Sequence, residues 1–292
     1  IDFEGKTVAL ALRQGYIGKD KKYAQKLEEG KINELINFLL AKNASIILVP
    51  HSFHKTDSLA NDAVFLEKLR PKTFLFENVR GLLTHNRGNT YETILEIFTQ
   101  AGYTIQKQVL NAWDYGVAQK RERLITIGIR NDLTDKIKIE FPTPHEYKPV
   151  LRDVLHDVPE SDGTQYSEYK RKIFELVPPG GYWRDIPADI AKEYMKSCWN
   201  MGGGRTGILR RLSLDEPSLA VLTSPSQKQT DRCHPLEARP FNIRENARVQ
   251  SFPDEWKFCG SVSSQYKQVG NAVPVLLAYD IAKEIYRGLE QL

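Results

Sequence analysis

Several polar residues lie beside apolar stretches of this sequence, in positions where side chains can do chemistry. Glu77 and Asn78 follow the apolar run TFLF, and Gln119, Arg121 and Arg123 alternate at the start of the run RLITIGIR. In open α/β sheets ligands bind beyond the carboxyl ends of the strands, so a carboxylate at residue 77 is well placed for catalysis. Alternate side chains of a strand share one face, so the two arginines can clamp a phosphate or a base carbonyl. Taken alone, these residues also fit an ion pair or helix-capping acid and a solvated basic edge.

Two further motifs lie towards the C-terminus. In RPFNIRENARVQSFPDEW (239–256), Arg244 and Arg248 are four residues apart and share one face of a predicted helix. In QYKQVGNAVP (265–274), a Gly-Asn turn precedes the last predicted helix, where Asn271 also fits a simple helix cap. Each motif is weak alone, but their combination and order are specific.

The composition narrows the class of protein. The chain has 292 residues, of which 41% are hydrophobic and 27% charged, as expected for a globular protein. No apolar run approaches the roughly 20 residues that cross a bilayer, and no signal-peptide pattern is seen, so we expect a cytoplasmic protein without a membrane partner. The three cysteines are too few and too scattered for a disulfide framework or zinc cluster, and no metal site is predicted. The net charge of +4 permits a nucleic-acid partner without requiring one.

Strands and helices alternate in the first half of the sequence. Predicted strands include KTVALAL, SIILV, TFLFEN, IQKQVLNA and RLITIGIR, and NTYETILEIFTQAGY is a predicted amphipathic helix with Asn89 as its N-cap. Strands separated by helices predict a parallel, doubly wound α/β sheet. Periodicity is poor from the proline-rich FPTPHEYKP (141–149) to about Phe258, which predicts a smaller loop-rich domain. We therefore predict one domain of residues 1–141 plus 265–292 and a second of residues 142–264.

Taken together, the motifs resemble the DNA (cytosine-5) methyltransferases of bacterial restriction–modification systems. The resemblance covers about residues 59–130 and 202–292, and it is carried by ENV (77–79), NAWDYGVAQKRER, RPFNIRENARVQSFPD and QYKQVGNAVPV. It implies a Rossmann-like methyltransferase sheet with a target-recognition domain at 142–264. The implied reaction transfers a methyl group from S-adenosylmethionine to C5 of a cytosine flipped out of double-stranded DNA. It also implies a monomer and a companion restriction endonuclease.

The resemblance further implies roles for individual residues. Glu77 would hold N3 of the flipped cytosine and Asn78 would orient the loop. Arg123 would reach the base carbonyl, with Arg121 supporting the site. The implied cofactor-binding residues are Phe3, Gly5, Asp20, Asn271 and Val273. The implied DNA-binding residues are Arg205, Lys228, Arg232 and Arg244, whose contacts to phosphate and to base are not distinguished by sequence.

The nucleophile that this reaction requires is not in its expected place. After a strand such as SIILV the family has Pro-Cys, whereas this chain has Pro50-His51-Ser52, and neither His nor Ser matches a thiolate as a nucleophile. The cysteines of the chain are Cys198, Cys233 and Cys259, and none of them lies near this position in the sequence. In addition, Lys31 stands where the family has an adenine-binding Asp, and Ala220-Val221 replaces a usual Thr-Leu pair.

Two explanations remain open at this point. In one, mobile loop segments of a normal enzyme are missing from this sequence. In the other, the chain is a degenerate paralogue that binds DNA without catalysis, which the substitutions at Lys31 and Ala220-Val221 favour because a missing segment does not replace residues. The retained residues around the flipped base favour the active methyltransferase, which we expect, with the inactive DNA-binding protein as the alternative. A nicotinamide dehydrogenase is disfavoured because no Gly-rich fingerprint follows the first strand.

Overall fold

The computed structural model describes residues 46–47, 66–200, 202, 205–225, 227 and 230–292 of the chain. The strands are β1 (Ile46–Ile47), β2 (Thr73–Val79), β3 (Tyr103–Asn111), β4 (Gln119–Lys120), β5 (Glu122–Arg130) and β6 (Ser218–Leu219). The α-helices are α1 (Asn89–Gln100), α2 (Leu151–Val154), α3 (Glu168–Leu176), α4 (Ala188–Met195), α5 (Ile243–Val249), α6 (Val262–Asn271) and α7 (Val275–Leu289). Among these described helices, none is both long and apolar enough to cross a membrane.

The chain divides into two compact units. The first holds the described chain up to Leu110 together with Glu122–Pro142 and Ala282–Leu292, and the second holds Asn111–Arg121 and Thr143–Ile281. This division assigns residues 111–121 to the second unit and divides α7 after Ile281. The assignment of residues 1–141 plus 265–292 to catalysis and of 142–264 to target recognition stays a prediction.

The first unit contains a four-stranded sheet with the order β1-β2-β5-β3, in agreement with the predicted α/β class. Strand β1 is parallel to β2, with Ile46 opposite Phe74, whereas β5 is antiparallel to β2, with Arg123 opposite Val79. The prediction of a parallel sheet is therefore wrong for β5. A parallel crossover requires a dozen or more residues and usually a helix, and the short connection from β3 to β5 contains no α-helix.

Aromatic side chains form the core beneath this sheet. Phe74 and Phe76 alternate along β2 and are each 1% exposed, and both rings pack against Phe98 of α1. Their spacing of two directs them to the same face, where α1 presents Tyr91, Ile94 and Phe98 at helical spacing. This confirms the predicted amphipathic helix.

The start of α1 differs from the prediction. Asn89 is the first residue inside the helix, and the N-cap is Gly88, which has a φ of +92°. Asn86 and Arg87 just before it also have positive φ values. Glycine enters this left-handed conformation without the steric cost of a Cβ atom, so the turn places the helix start one residue earlier than the capping pattern predicts.

The described residues of the second unit include two apolar clusters. One surrounds Phe174, Trp183 and Met195, and the other brings Phe241 and Val249 together with residues of α6. The parallel pair of β4 and β6, with Gln119 opposite Ser218, is its two-stranded sheet.

The last helix, α7, is amphipathic. Leu277, Ile281 and Ile285 are buried, but Leu276 is 40% exposed rather than on the packed side. Near the end of the chain, the backbone N–H of Lys138 donates to the side-chain carbonyl of Gln291 at 3.0 Å. Residues 282–292 are therefore tied into the first unit.

Candidate functional site

Glu77 and Arg123 form an ion pair across strands β2 and β5. Oε1 of Glu77 lies 2.7 Å from Nε of Arg123, and their side chains are only 12% and 13% exposed. Because Val79 is opposite Arg123 and side chains alternate, Glu77 and Arg123 lie on the same face of the sheet. Burial lowers the pKa of the Arg123 guanidinium, while the Glu77 carboxylate opposes this shift. The structure thus brings together a predicted acid and a predicted base-contacting arginine.

Asn78 lies beside this pair but is engaged locally. Its side-chain Oδ1 accepts a hydrogen bond from the backbone N–H of Val79 at 2.8 Å. Strand β2 continues to Val79, so Glu77 and Asn78 lie within its last three residues rather than after its end. The contact is of the kind that fixes a strand end, and the role of Asn78 in orienting the loop stays a prediction.

Arg121 lies between β4 and β5 and is 4% exposed, so a solvated basic edge is the wrong interpretation. Its Nη1 donates to the carbonyl of Val221 at 3.2 Å. Its Nη2 donates to the carbonyls of Gly270 and Ala272 at 2.8 and 3.1 Å. The guanidinium therefore holds together two backbone segments of the second unit, and the role of Arg121 in supporting the base site stays a prediction.

Two fully buried glutamines extend this network. Gln119 accepts from the N–H of Val221 at 2.9 Å and donates to Oε1 of Gln250 at 3.0 Å. Gln250 in turn donates to the carbonyls of Val269 at 2.7 Å and Ala272 at 3.3 Å. Sequence reasoning missed Gln250, although a polar residue ending the helix in ARVQSFP was a signal for it. Together with Arg121, these glutamines form what we call the Arg121 network.

The Arg121 network grips residue 221 only through its backbone. The N–H of Val221 donates to Gln119, and its carbonyl accepts from Arg121. Because both contacts use main-chain atoms, they do not depend on the Thr-Leu pair expected in the family at Ala220-Val221. This substitution is therefore compatible with an intact network.

The end of α6 and the turn that follows it carry two of the predicted cofactor residues. Gly270 and Asn271, predicted as a Gly-Asn turn, are the last two residues of α6, and Val273 lies in the turn. Asn271 and Val273 are half-buried, and the side-chain amide of Asn271 makes no hydrogen bond to any residue that the structure describes. The preceding Gly270 is tightly packed, because a Cβ atom there would lie 2.4 Å from the carbonyl oxygen of Leu222. The end of α6 therefore offers a polar side chain on a fixed backbone. Other predicted positions lie outside the described residues, and these are Phe3, Gly5, Asp20, Lys31 and Pro50-His51-Ser52.

Three of the four predicted DNA-binding residues use their guanidinium groups within the protein. Arg205 donates to the carbonyls of Cys198 and Trp199. Arg232 donates to the carbonyl of Asp231 at 2.8 Å, and burial lowers its pKa. Arg244 donates to the carbonyls of Pro253 and Trp256 at 3.2 and 2.8 Å. Lys228 lies outside the described residues. The contacts of these arginines indicate that they hold loops, and their roles in DNA binding stay predictions.

The cysteines all belong to the second unit. Cys233 is fully buried, and burial raises the pKa of its thiol to about 12. It is therefore a protonated thiol at neutral pH and a poor nucleophile. Cys198 is half-buried and Cys259 is exposed. Within the described residues, no cluster of three His, Cys, Asp or Glu side chains could hold a metal ion.

Comparisons with known proteins agree with the resemblance drawn from the motifs. The family model for the C-5 cytosine-specific DNA methylase matches residues 54–287. The Type II methyltransferase M.Sau96I of Staphylococcus aureus is 57% identical over 228 residues, which are 77% of this chain and 53% of that protein. The Type II methyltransferase M.Eco47II of Escherichia coli is 51% identical over 234 residues, which are 77% of this chain and 56% of that protein. The chain thus spans about half the length of these relatives.

Solved structures share the fold at much lower sequence identity. The S. pombe Dnmt2 methyltransferase superposes with a TM-score of 0.56 at 15% identity, covering 90% of this chain and 86% of its own. The Entamoeba histolytica methyltransferase EhMeth superposes with a TM-score of 0.52 at 15% identity, covering 87% of this chain and 80% of its own. At this identity the likeness shows the fold alone, which is that of a methyltransferase.

Proposed function

The chain belongs to the C-5 cytosine-specific DNA methylase family, and on that premise we propose that it acts as a DNA (cytosine-5) methyltransferase of a restriction–modification system. Its substrate would be a cytosine in a short target of double-stranded DNA, and S-adenosylmethionine would supply the methyl group that is transferred to C5. The observation that carries this proposal is the largely buried ion pair of Glu77 and Arg123.

The geometry of this pair suits the edge of a flipped cytosine. N3 and the carbonyl at C2 are neighbouring positions of the ring, and the carboxyl and guanidinium groups are held 2.7 Å apart. Glu77 would hold N3 and Arg123 would donate to the base carbonyl. Both groups then lie where charge develops as a nucleophile adds to C6, and fixed groups of this kind stabilise that charge.

The described residues fit the expected cofactor in one respect. At the end of α6, which the Arg121 network holds, Asn271 carries an amide that makes no hydrogen bond to the described residues. An amide can both donate to and accept from the polar end of S-adenosylmethionine. We propose that Asn271 and Val273 contact the cofactor, with Phe3, Gly5 and Asp20 as the other contacts.

A second candidate function rests on the missing nucleophile. Addition to C6 needs a thiolate, and the chain reads Pro50-His51-Ser52 where the family has Pro-Cys. Cys233 does not supply a thiolate, since burial keeps it protonated. A catalytically inactive protein that binds duplex DNA therefore remains the alternative.

Covalent trapping separates the two candidates. A duplex that contains 5-fluorocytosine would be incubated with the protein and S-adenosylmethionine, then denatured and resolved by gel electrophoresis. The proposal expects a shifted covalent band that depends on the cofactor and is absent for Glu77→Ala. Duplex binding by anisotropy without any covalent band would instead support the inactive DNA-binding protein.

Further proposals concern the oligomeric state, the cellular location and a companion enzyme. We propose a monomer in the cytoplasm that is accompanied by a restriction endonuclease reading the same DNA target. Analytical ultracentrifugation of the purified protein tests the monomer, and a dimer at micromolar concentration would contradict it.

A further inference from the structure

Arg184 stands apart from the other arginines described in the second unit. It is exposed, and its guanidinium makes no hydrogen bond or ion pair with the described residues. The other arginines there donate to backbone carbonyls or lie within 4 Å of a carboxylate. Those arginines are Arg121, Arg152, Arg171, Arg205, Arg210, Arg211, Arg232, Arg239, Arg244 and Arg248. None of the five N–H donors of Arg184 is therefore used by the part of the chain that the structure describes.

The guanidinium of Arg184 is also held in place. Its central carbon lies 4.9 Å from the centre of the Trp183 ring, and Trp183 is 8% exposed. That ring packs edge-on against Trp199 at 5.5 Å. Because cation–π stacking leaves the edge of the guanidinium plane uncovered, the ring orders Arg184 without consuming its donors.

The backbone beneath the stack is fixed as well. The N–H of Trp183 donates to the carbonyl of Ile208 at 3.4 Å, and the N–H of Tyr182 donates to the Asp185 carboxylate at 2.8 Å. The acidic residue next to Arg184 is therefore engaged by the backbone of Tyr182. A fixed turn thus presents at the surface an ordered guanidinium that pairs with no carboxylate among the described residues.

We propose that Arg184 contacts double-stranded DNA through a pair of neighbouring acceptor atoms. A planar fork of donors matches two phosphate oxygens, or O6 and N7 of guanine in the major groove. This inference rests on the proposed function, since it assigns a contact with the DNA substrate to Arg184. Arg205, Arg232 and Arg244 differ from it in that each donates to backbone carbonyls of the protein.

Three variants test this assignment. Arg184→Ala removes the charge and the fork, and Arg184→Lys keeps the charge but removes the fork. Arg171→Ala is the matched control, because it removes the same charge from a side chain that is 49% exposed and paired with Glu175. Each protein would be titrated with duplexes of randomised central sequence at several salt concentrations, and the bound fraction would be sequenced. A thermal midpoint equal to that of the wild type would show that the fold is retained.

The proposal expects Arg184→Ala to weaken duplex binding by about tenfold or more, while Arg171→Ala leaves it nearly unchanged. Loss of a preferred guanine in both Arg184 variants would identify a base contact. A uniform loss over all sequences, with a salt slope lower by about one and recovery in Arg184→Lys, would identify a phosphate contact. Binding by Arg184→Ala equal to the wild type would overturn the assignment of Arg184. Failure of the wild type to bind any duplex would instead overturn the proposed function and the DNA contact with it.

Discussion

The Glu77 carboxylate and the Arg123 guanidinium lie 2.7 Å apart across two antiparallel strands, each with about an eighth of its side chain exposed. Each is the other's compensating charge, since an isolated ion in such surroundings is costly. The groups proposed to hold the base therefore also stabilise the strand pair that carries them. A change at either residue acts on both properties at once.

Glu77→Ala is expected to lower the free energy of unfolding by about 3 kcal/mol, because it removes the carboxylate facing the enclosed Arg123. Glu77→Gln keeps an oxygen acceptor for Arg123 and is expected to lose only about 1 kcal/mol. Both variants should abolish methyl transfer and bind duplex DNA almost as the wild type does. Urea unfolding, methyl-transfer assays and anisotropy measure the three quantities. Unchanged turnover in Glu77→Ala would refute the assigned base pocket.

Arg121→Met is expected to destabilise the protein by about 3 kcal/mol, because the carbonyls of Val221, Gly270 and Ala272 lose a charged donor in a buried place. Arg80→Met is the matched control. Arg80 is an exposed arginine paired with Glu122, and its loss should change stability by no more than about 0.5 kcal/mol. Urea unfolding compares the two variants. Equal effects would mean that the Arg121 network contributes little to stability.

Gly270→Ala is expected to cost about 2 kcal/mol, since the new Cβ atom would lie 2.4 Å from the carbonyl oxygen of Leu222. The backbone has to shift next to Asn271, so the affinity for S-adenosylmethionine measured by calorimetry should fall as well. Gly81→Ala serves as the control, because no atom lies within 4 Å of the added Cβ there. Similar thermal midpoints for both variants would show that the turn tolerates displacement.

The free energy of unfolding is expected to fall on mild acidification, because His234 becomes protonated more readily in the unfolded chain. Its Nδ1 accepts from the backbone N–H groups of Leu236 and Glu237, both at 3.2 Å, which requires the neutral ring. Burial lowers the pKa of His234 below its ordinary value. The unfolded chain therefore binds a proton at His234 more readily than the folded chain. The contribution of neutral His234 to the free energy of unfolding is complete above about pH 6.5 and is lost as the pH falls through the folded-state pKa.

The variant His234→Asn isolates this effect, because its side-chain carbonyl can accept from the same amides and does not titrate. Urea unfolding at about pH 7.5 and about pH 5.5 should show a larger loss of stability for the wild type than for the variant. Equal losses would assign the acid sensitivity to other groups.

Local patterns were sufficient to predict the elements that carry the site. The apolar run TFLF and the helical spacing in α1 are local patterns, so the sequence alone predicts the strand and the helix, and it also shows the polar character of Glu77 and Arg123. Their pairing depends on strand register and on the antiparallel direction of β5. Both are set by contacts between distant segments, which local spacing does not encode.

The arginines of the second unit also show that local sequence does not encode contacts between distant segments. Arg205, Arg232 and Arg244 are indistinguishable from Arg184 by residue type, and a motif assigns all of them to DNA equally well. Whether a guanidinium is free depends on which carbonyls the fold brings to it, as at Cys198 and Trp199 for Arg205. Gln250 was missed for the same reason, because its partners come from two other segments, at residue 119 and at residues 269–272.

The course of the chain through the two units has a consequence for biosynthesis. The first unit includes residues 282–292, which reach it only after the intervening Thr143–Ile281 of the second unit has been made. At about 5–20 residues per second, a ribosome needs several seconds or more to synthesise that stretch. During this interval the nascent first unit lacks the contact of Gln291 with Lys138, so the unit is completed only after the second unit has been synthesised.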